Sequence, residues 1–176
     1  MEGKTHDPRI LAIDLRLRRF GYAVFEGPNR LLDWGVYFFP PAREGGSIVA
    51  SKRVADLLRL FTPSVVVVKK ADRGSGSRGA GIASILKAIR RESSIRSIPV
   101  CLIGHKDVRQ AFRIFRSNNK YENAVALTQL FPDLLWKLPP KRKFYDGEHP
   151  RMIVFDAVAV GFTYWQLNGI QIPPPE

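Results

Sequence analysis

The beginning of the chain alternates short apolar segments with turn residues. Residues 10–14, 20–26 and 31–39 are each rich in aliphatic and aromatic side chains, and Pro28-Asn29 separates the second segment from the third. Pro40-Pro41 then stops the third segment, because proline cannot donate a hydrogen bond to a β-ladder. Three successive strands joined by short links predict an antiparallel meander.

The hydrophobic pattern then changes to a helical period. Residues 51–61 place their apolar side chains on one stripe of a helix, and Ser47 or Ser51 is a candidate N-cap. Four consecutive valines at residues 65–68 predict a central strand that is buried on both faces. The later elements alternate between helix and strand: a helix around residues 82–89, a strand at 100–103, and helices at 105–115, 121–130 and 155–167.

This order of elements predicts an α/β fold. We expect a five-stranded mixed sheet, with three antiparallel strands followed by two parallel ones and with helices on both faces. The 176 residues fit a single domain, 1–176. We expect residues 170–176 to form a flexible tail. The single Cys101 excludes an internal disulfide, suits a reducing compartment and is expected to pack within its strand.

Charge adds the main compositional clue. Lys and Arg outnumber Asp and Glu by 28 to 16, which gives a net charge of +12 and a pI near 10.3. Such a charge favours an acidic partner, nucleic acid ahead of an anionic membrane surface, although a basic surface kept for solubility is the alternative. With no long apolar segment and no signal-peptide pattern, we expect a soluble, cytoplasmic protein without a membrane partner.

Asp14 is the first candidate site residue. It is the one acid on the apolar segment at residues 10–14, where a carboxylate is costly unless a cation or hydrogen bonds compensate it. It is therefore a candidate metal ligand, with a structural turn aspartate as the alternative. Arg16, Arg18 and Arg19 follow it and are candidate phosphate ligands, because a guanidinium donates two parallel hydrogen bonds to phosphate.

Two further basic segments are candidate nucleic-acid contacts. Arg73 and Arg78 flank a glycine-serine loop that leads into a helix, whose backbone amides are able to receive a phosphate; a flexible linker is the alternative. The second segment precedes Phe144-Tyr145, and basic residues beside aromatic ones suit backbone contacts with base stacking, unless this is only a solvated loop. Its cations are Lys137, Lys141, Arg142 and Lys143. For Trp34, Trp136 and Trp165 we expect core or edge packing rather than base stacking.

Several motifs, in order, resemble the RuvC-type Holliday-junction resolvases of the ribonuclease H-like superfamily. Ile13-Asp14 followed by Gly21-Tyr22 is similar to the family's opening hairpin, and Asp14 falls on its first catalytic aspartate. Asp156-Ala-Val-Ala-Val160 resembles the segment that opens with an aspartate on the last helix. Residues 98–111 resemble the fifth strand and the helix after it, so the resemblance extends over about residues 10–165.

The resemblance implies a ribonuclease H-like fold and a metal-dependent, structure-selective endonuclease. In such enzymes two divalent ions about 3.5–4 Å apart clamp the attacking and leaving oxygens of a phosphodiester. The implied metal, Mg²⁺ or Mn²⁺, would be held by Asp14, Asp156 and Glu148, the last from an acidic loop before the final helix. The implied partner is branched or double-stranded DNA, in recombination, with a homodimer as the assembly.

Two departures from the family pattern support a second hypothesis. The family's central-strand glutamate falls on Lys69, and a further acid falls on Ile153. A lysine would repel divalent ions and could instead pair with Asp14, Asp156 or both. The alternative is thus a catalytically degenerate domain that needs no metal and binds nucleic acid or a protein partner without cleavage. Other candidate ligands are Asp72, Asp146 and His149.

Overall fold

The computed structural model describes residues 7–71, 77–143 and 147–169, without the side chains of residues 77 and 78. The strands are β1 (Arg9–Leu15), β2 (Arg19–Glu26), β3 (Leu31–Phe38), β4 (Val65–Lys69) and β5 (Val100–Ile103). The α-helices are α1 (Gly46–Phe61), α2 (Ser77–Ile95), α3 (His105–Ala111), α4 (Lys120–Leu130) and α5 (Met152–Leu167). Three short 3₁₀ helices cover Ala42–Glu44, Phe112–Phe115 and Pro132–Lys137. The predicted tail at residues 170–176 lies outside the described residues.

The five strands form one mixed sheet in the order β3-β2-β1-β4-β5. β1 pairs antiparallel with β2, and β2 with β3, whereas β4 pairs parallel with both β1 and β5. This confirms the predicted meander followed by two parallel strands. Asp14 lies opposite Gly21 on β2, and Ile13 lies opposite Val68 on β4. The carboxyl ends of β1 and β4 therefore meet at one end of the sheet, next to the turn into β2.

Helices cover both faces of the sheet, as predicted. Alternate residues of β1 and β4 pack against α1 and α2 on one face, and the residues between them pack against α3, α4 and α5 on the other. The four valines of β4 are 0–7% exposed, which confirms a central strand buried on both faces. No helix within the described ranges is long and apolar enough to cross a membrane.

Among the helices that begin earlier than predicted are α1 and α5. α1 starts at Gly46, with Gly45 in the N-cap position, so neither predicted serine caps it. The Ser51 hydroxyl instead donates to Glu92 on α2 at 2.9 Å. α5 starts at Met152, and most of its side chains are buried. A helix that is apolar all round has no polar face to mark its first turn. Its beginning could therefore not be read from periodicity.

Gly21 brings α5 close to the sheet, at the level of Asp14. A Cβ atom on Gly21 would lie 2.3 Å from the backbone oxygen of Ile153. We expect Gly21→Ala to lower the free energy of unfolding by about 1–3 kcal/mol, because α5 must move away from β2. Urea unfolding measures the loss. Gly147→Ala is the matched control, since nothing lies within 4 Å of that site, and equal stability of the two variants would contradict the close contact.

Candidate functional site

Two buried carboxylates meet where α5 crosses the end of the sheet. Asp14, near the end of β1, is 2% exposed, and Asp156, in the second turn of α5, is 8% exposed. Asp156 follows the turn of α5 that contacts Gly21. The same packing that closes the sheet against α5 therefore brings the two acids together. Asp156 lies inside the helix, which begins four residues earlier at Met152.

Arg16 joins the two carboxylates. Its Nε donates to Asp14 Oδ2 at 2.8 Å, and its Nη2 donates to Asp156 Oδ2 at 2.7 Å. Its Nη1 lies 3.7 Å from Glu148 Oε2. The backbone amide of Arg16 donates to the carbonyl of Arg19 at 2.9 Å, closing the β1–β2 turn. The turn thus holds this guanidinium among all three acids that the sequence proposed as metal ligands.

Two lysines complete the arrangement. Lys69, at the end of β4, places its Nζ 3.6 Å from Asp14 Oδ1. Lys120, the first residue of α4, donates to Glu148 Oε1 at 2.6 Å and to Asp156 Oδ2 at 3.0 Å. Three acids therefore face three cations. We call this set the charge cluster: Asp14, Arg16, Lys69, Lys120, Glu148 and Asp156.

Burial and charge shift the protonation of the charge cluster in different directions. Burial raises the pKa of Asp14, although the charges of Lys69 and Arg16 oppose the rise. For Glu148 burial acts in the same direction, but the hydrogen bond and charge of Lys120 outweigh it, so its pKa is lowered. The pKa values of Arg16 and Lys120 are both raised: burial favours the neutral form, but the neighbouring carboxylates overcome it. These two cations are firmly protonated.

These residues do not fit a pair of divalent ions. Magnesium requires oxygen ligands in octahedral geometry, but each of the three carboxylates already lies within ion-pair distance of at least one cation. In the described parts of the chain, no group of three or more His, Cys, Asp or Glu side chains has the geometry to hold a metal. The ring of His149 accepts at Nδ1 from the Arg151 backbone amide at 3.2 Å. Asp72 and Asp146 lie outside the described residues.

Two of the other predicted nucleic-acid contacts, Lys141 and Arg142, lie beside the charge cluster. Arg18 is exposed on the β1–β2 turn, and the guanidinium of Arg19 lies 6.0 Å from the ring of Phe38. Lys141 and Arg142 line a cavity that Lys120 and Glu148 also line, and Lys143 follows them on an exposed segment. Arg73 and the side chain of Arg78 lie outside the description. Arg16 was predicted to hold phosphate, but its guanidinium contacts carboxylates.

Sequence reasoning missed Lys120. It lies far along the chain from Asp14, on a helix whose position depends on packing between α4 and α5. The contact of Arg16 with Asp14 did have a signal. Side chains two residues apart lie on the same side of a strand, and Arg16 continues that period just beyond the end of β1. This two-residue period therefore predicts an ion pair between Asp14 and Arg16.

Comparison with solved structures identifies the fold. RuvC of Thermus thermophilus in complex with a Holliday junction substrate superposes with a TM-score of 0.71 at 20% identity, covering 93% of this chain and 97% of that one. Another structure of Thermus thermophilus RuvC gives 0.70 at 20% identity, covering 92% and 97%. The yeast mitochondrial Holliday junction resolvase Ydc2 gives 0.59 at 13% identity, covering 91% and 79%.

Two comparisons of the sequence found nothing. No protein-family model matches it, and no curated protein matches it. The structural likeness nevertheless extends over almost the whole chain and over almost the whole of RuvC. It agrees with the observed sheet order and with the helices on both faces. The chain therefore has a RuvC-like, ribonuclease H-like α/β fold.

Proposed function

We propose that this protein binds branched nucleic acid without metal-dependent cleavage. The charge cluster is the observation that carries this proposal. In a two-metal nuclease the carboxylates must present free oxygens to the ions. Here Arg16 contacts all three acids, and Lys69 stands 3.6 Å from the most deeply buried one, Asp14. The acids therefore serve as counter-ions to side chains of the same protein.

Charge and fold support nucleic acid as the partner. The net charge of +12 creates a field that attracts a polyanion. Exposed cations lie near the charge cluster, Arg18 on the turn from β1 and Lys141 and Arg142 along the cavity. The RuvC structure that superposes on this chain is a complex with a Holliday junction substrate. A four-way junction is therefore the first nucleic acid to test.

A metal-dependent endonuclease is the second candidate function. It is favoured by the convergence of Asp14, Asp156 and Glu148 on one guanidinium. Cleavage by these acids would require Arg16 and Lys120 to leave them. Because the two candidates share a substrate but differ in their need for divalent ions, one pair of assays separates them.

We expect labelled four-way junction DNA to bind in EDTA, without any divalent ion, as measured by fluorescence anisotropy. Affinity should fall steeply with salt, since phosphate contacts release counter-ions. About four such contacts predict a loss on the order of 100-fold between roughly 50 and 200 mM salt. Denaturing gels with Mg²⁺ or Mn²⁺ should show intact strands.

Two outcomes would contradict the proposal. Absence of binding to junction and duplex DNA at low salt would remove nucleic acid as the partner. Divalent-dependent cutting that is lost in Asp14→Asn would instead establish the nuclease. Asp56→Asn is the matched control for that variant, because Asp56 forms an exposed ion pair with Arg59 on α1.

A further inference from the structure

A cavity of about 450 Å³ opens beside the charge cluster. Lys120 and Glu148 belong to both the cavity lining and the charge cluster, so the cavity directly adjoins the cluster. Its volume falls within the range of roughly 300–1,000 Å³ that is typical of small-ligand pockets. The cavity therefore has room for one organic group of moderate size next to the charge cluster.

The cavity combines apolar surfaces with cations. Tyr121, Pro139 and Met152 supply apolar and aromatic surface, whereas Lys141 and Arg142 supply exposed positive charge. Among the described lining residues the one acid is Glu148, whose carboxylate already accepts from Lys120 at 2.6 Å. The chemistry suits a ligand that is flat and apolar at one end and anionic at the other. A nucleotide has this character, with an aromatic base and a phosphate.

An exposed tryptophan stands on the chain segment that leads into this cavity. Trp136 is 67% exposed, and Lys137 Nζ lies 4.1 Å from the centroid of its ring. The prediction that Trp136 packs in the core or at an edge is therefore wrong: the indole stays at the surface with an ammonium over its ring. Three peptide units separate Trp136 from Pro139, so their Cα atoms lie at most about 11 Å apart. An exposed aromatic ring beside cations is typical of surfaces that stack nucleobases.

We propose that this cavity receives an unpaired nucleotide of the bound nucleic acid. The base lies against Tyr121 and Pro139, the phosphate contacts Lys141 and Arg142, and Trp136 stacks a neighbouring base. This inference rests on the proposed function and specifies its substrate class: nucleic acid that carries unpaired nucleotides beside duplex, rather than continuous duplex. Stacking fits because every base has an aromatic face, so the site needs no particular sequence.

The test compares two labelled DNA duplexes that differ at one position. The first has a single unpaired thymidine, and the second has an abasic residue in its place. Stacking one base is worth roughly 1–3 kcal/mol, so we expect the base-bearing probe to bind on the order of 10-fold more tightly in fluorescence anisotropy. Trp136→Ala and Tyr121→Ala should each reduce that preference, whereas Trp136→Phe should retain most of it.

Leu60→Ala is the matched control, since Leu60 is 71% exposed on α1, on the other face of the sheet. It should leave both affinities unchanged. Equal binding of the two probes by the native protein would overturn the unpaired-nucleotide site while leaving nucleic-acid binding intact. Failure to bind either probe or a four-way junction would overturn the proposed function as well. An equal loss of preference in Leu60→Ala would also overturn the assignment, because the effect would not belong to the cavity.

Discussion

Replacing Asp14 with alanine is expected to lower the free energy of unfolding by about 3 kcal/mol. Asp14 is the most deeply buried acid of the charge cluster, and it contacts both Arg16 and Lys69. Removing one partner of a buried ion pair typically costs about 3–5 kcal/mol, because the other charge remains uncompensated. In this variant Lys69 loses its ion-pair partner, whereas Arg16 keeps Asp156 and Glu148. The side chains of Arg16 and Lys69 are also 34% and 17% exposed, so we expect a loss at the low end of that range. Urea unfolding in EDTA measures it.

A double-mutant cycle separates the ion pair from simple loss of packing. Lys69→Met removes the ammonium but leaves Asp14 bonded to Arg16. The double variant Asp14→Ala/Lys69→Met should therefore lose less stability than the two single variants added together, by about 1–2 kcal/mol. Asp56→Ala is the surface control, and its exposed ion pair with Arg59 is worth at most about 1 kcal/mol. A loss in Asp14→Ala no larger than that of Asp56→Ala would show that the charge cluster does not stabilise the fold.

Lys69→Glu is expected to make the protein respond to magnesium. The substitution puts a fourth carboxylate beside Asp14, so in EDTA the variant should be less stable than the native protein through like-charge repulsion. Mg²⁺ prefers such oxygen ligands, and Arg16 has a partly exposed side chain that is able to turn towards solvent. At 100 times its dissociation constant an ion adds about 2.7 kcal/mol. This corresponds to a rise in Tm of roughly 5–10 °C for a chain of this size.

Lys70→Glu is the matched control for this experiment. Lys70 follows Lys69 directly, is exposed beyond the end of β4, and undergoes the same change of charge. Thermal unfolding of both variants and the native protein, with and without Mg²⁺, should show a clear shift in Lys69→Glu alone. A shift of the same size in both variants would indicate general ion binding. No shift in either would mean that Arg16 keeps the carboxylates paired even when a fourth acid is present.

The sheet was predictable because its strands follow one another with short links and its central strand is a run of valines. Those features depend on local sequence. The observed order β3-β2-β1-β4-β5 confirms the mixed sheet that they predict. The pairing of Lys69 with Asp14 was one of the open alternatives, since parallel strands β1 and β4 end side by side. Here a local pattern and a simple topological rule were sufficient.

The remaining parts of the site depend on packing between distant segments. Lys120 reaches Asp156 and Glu148 only because α4 packs against α5, and no spacing in the sequence encodes that contact. The exposure of Trp136 was missed for a related reason. Hydrophobicity alone predicts burial, but tryptophan is often incompletely buried, and the adjacent Lys137 gives its ring a polar neighbour. The exposure of such a ring is visible only once the surface is known.

The bridging position of Arg16 has a consequence for how this fold depends on its surroundings. Carboxylates that share a bound metal ion repel one another when the ion dissociates. The stability of such a fold therefore depends on the free concentration of the metal. Arg16 is joined covalently to the strand that carries Asp14, and tethering fixes its effective concentration at the acids. It cannot be chelated or diluted away. If Arg16 stays at the acids as we propose, we expect the end of the sheet to keep its shape whatever the supply of divalent ions.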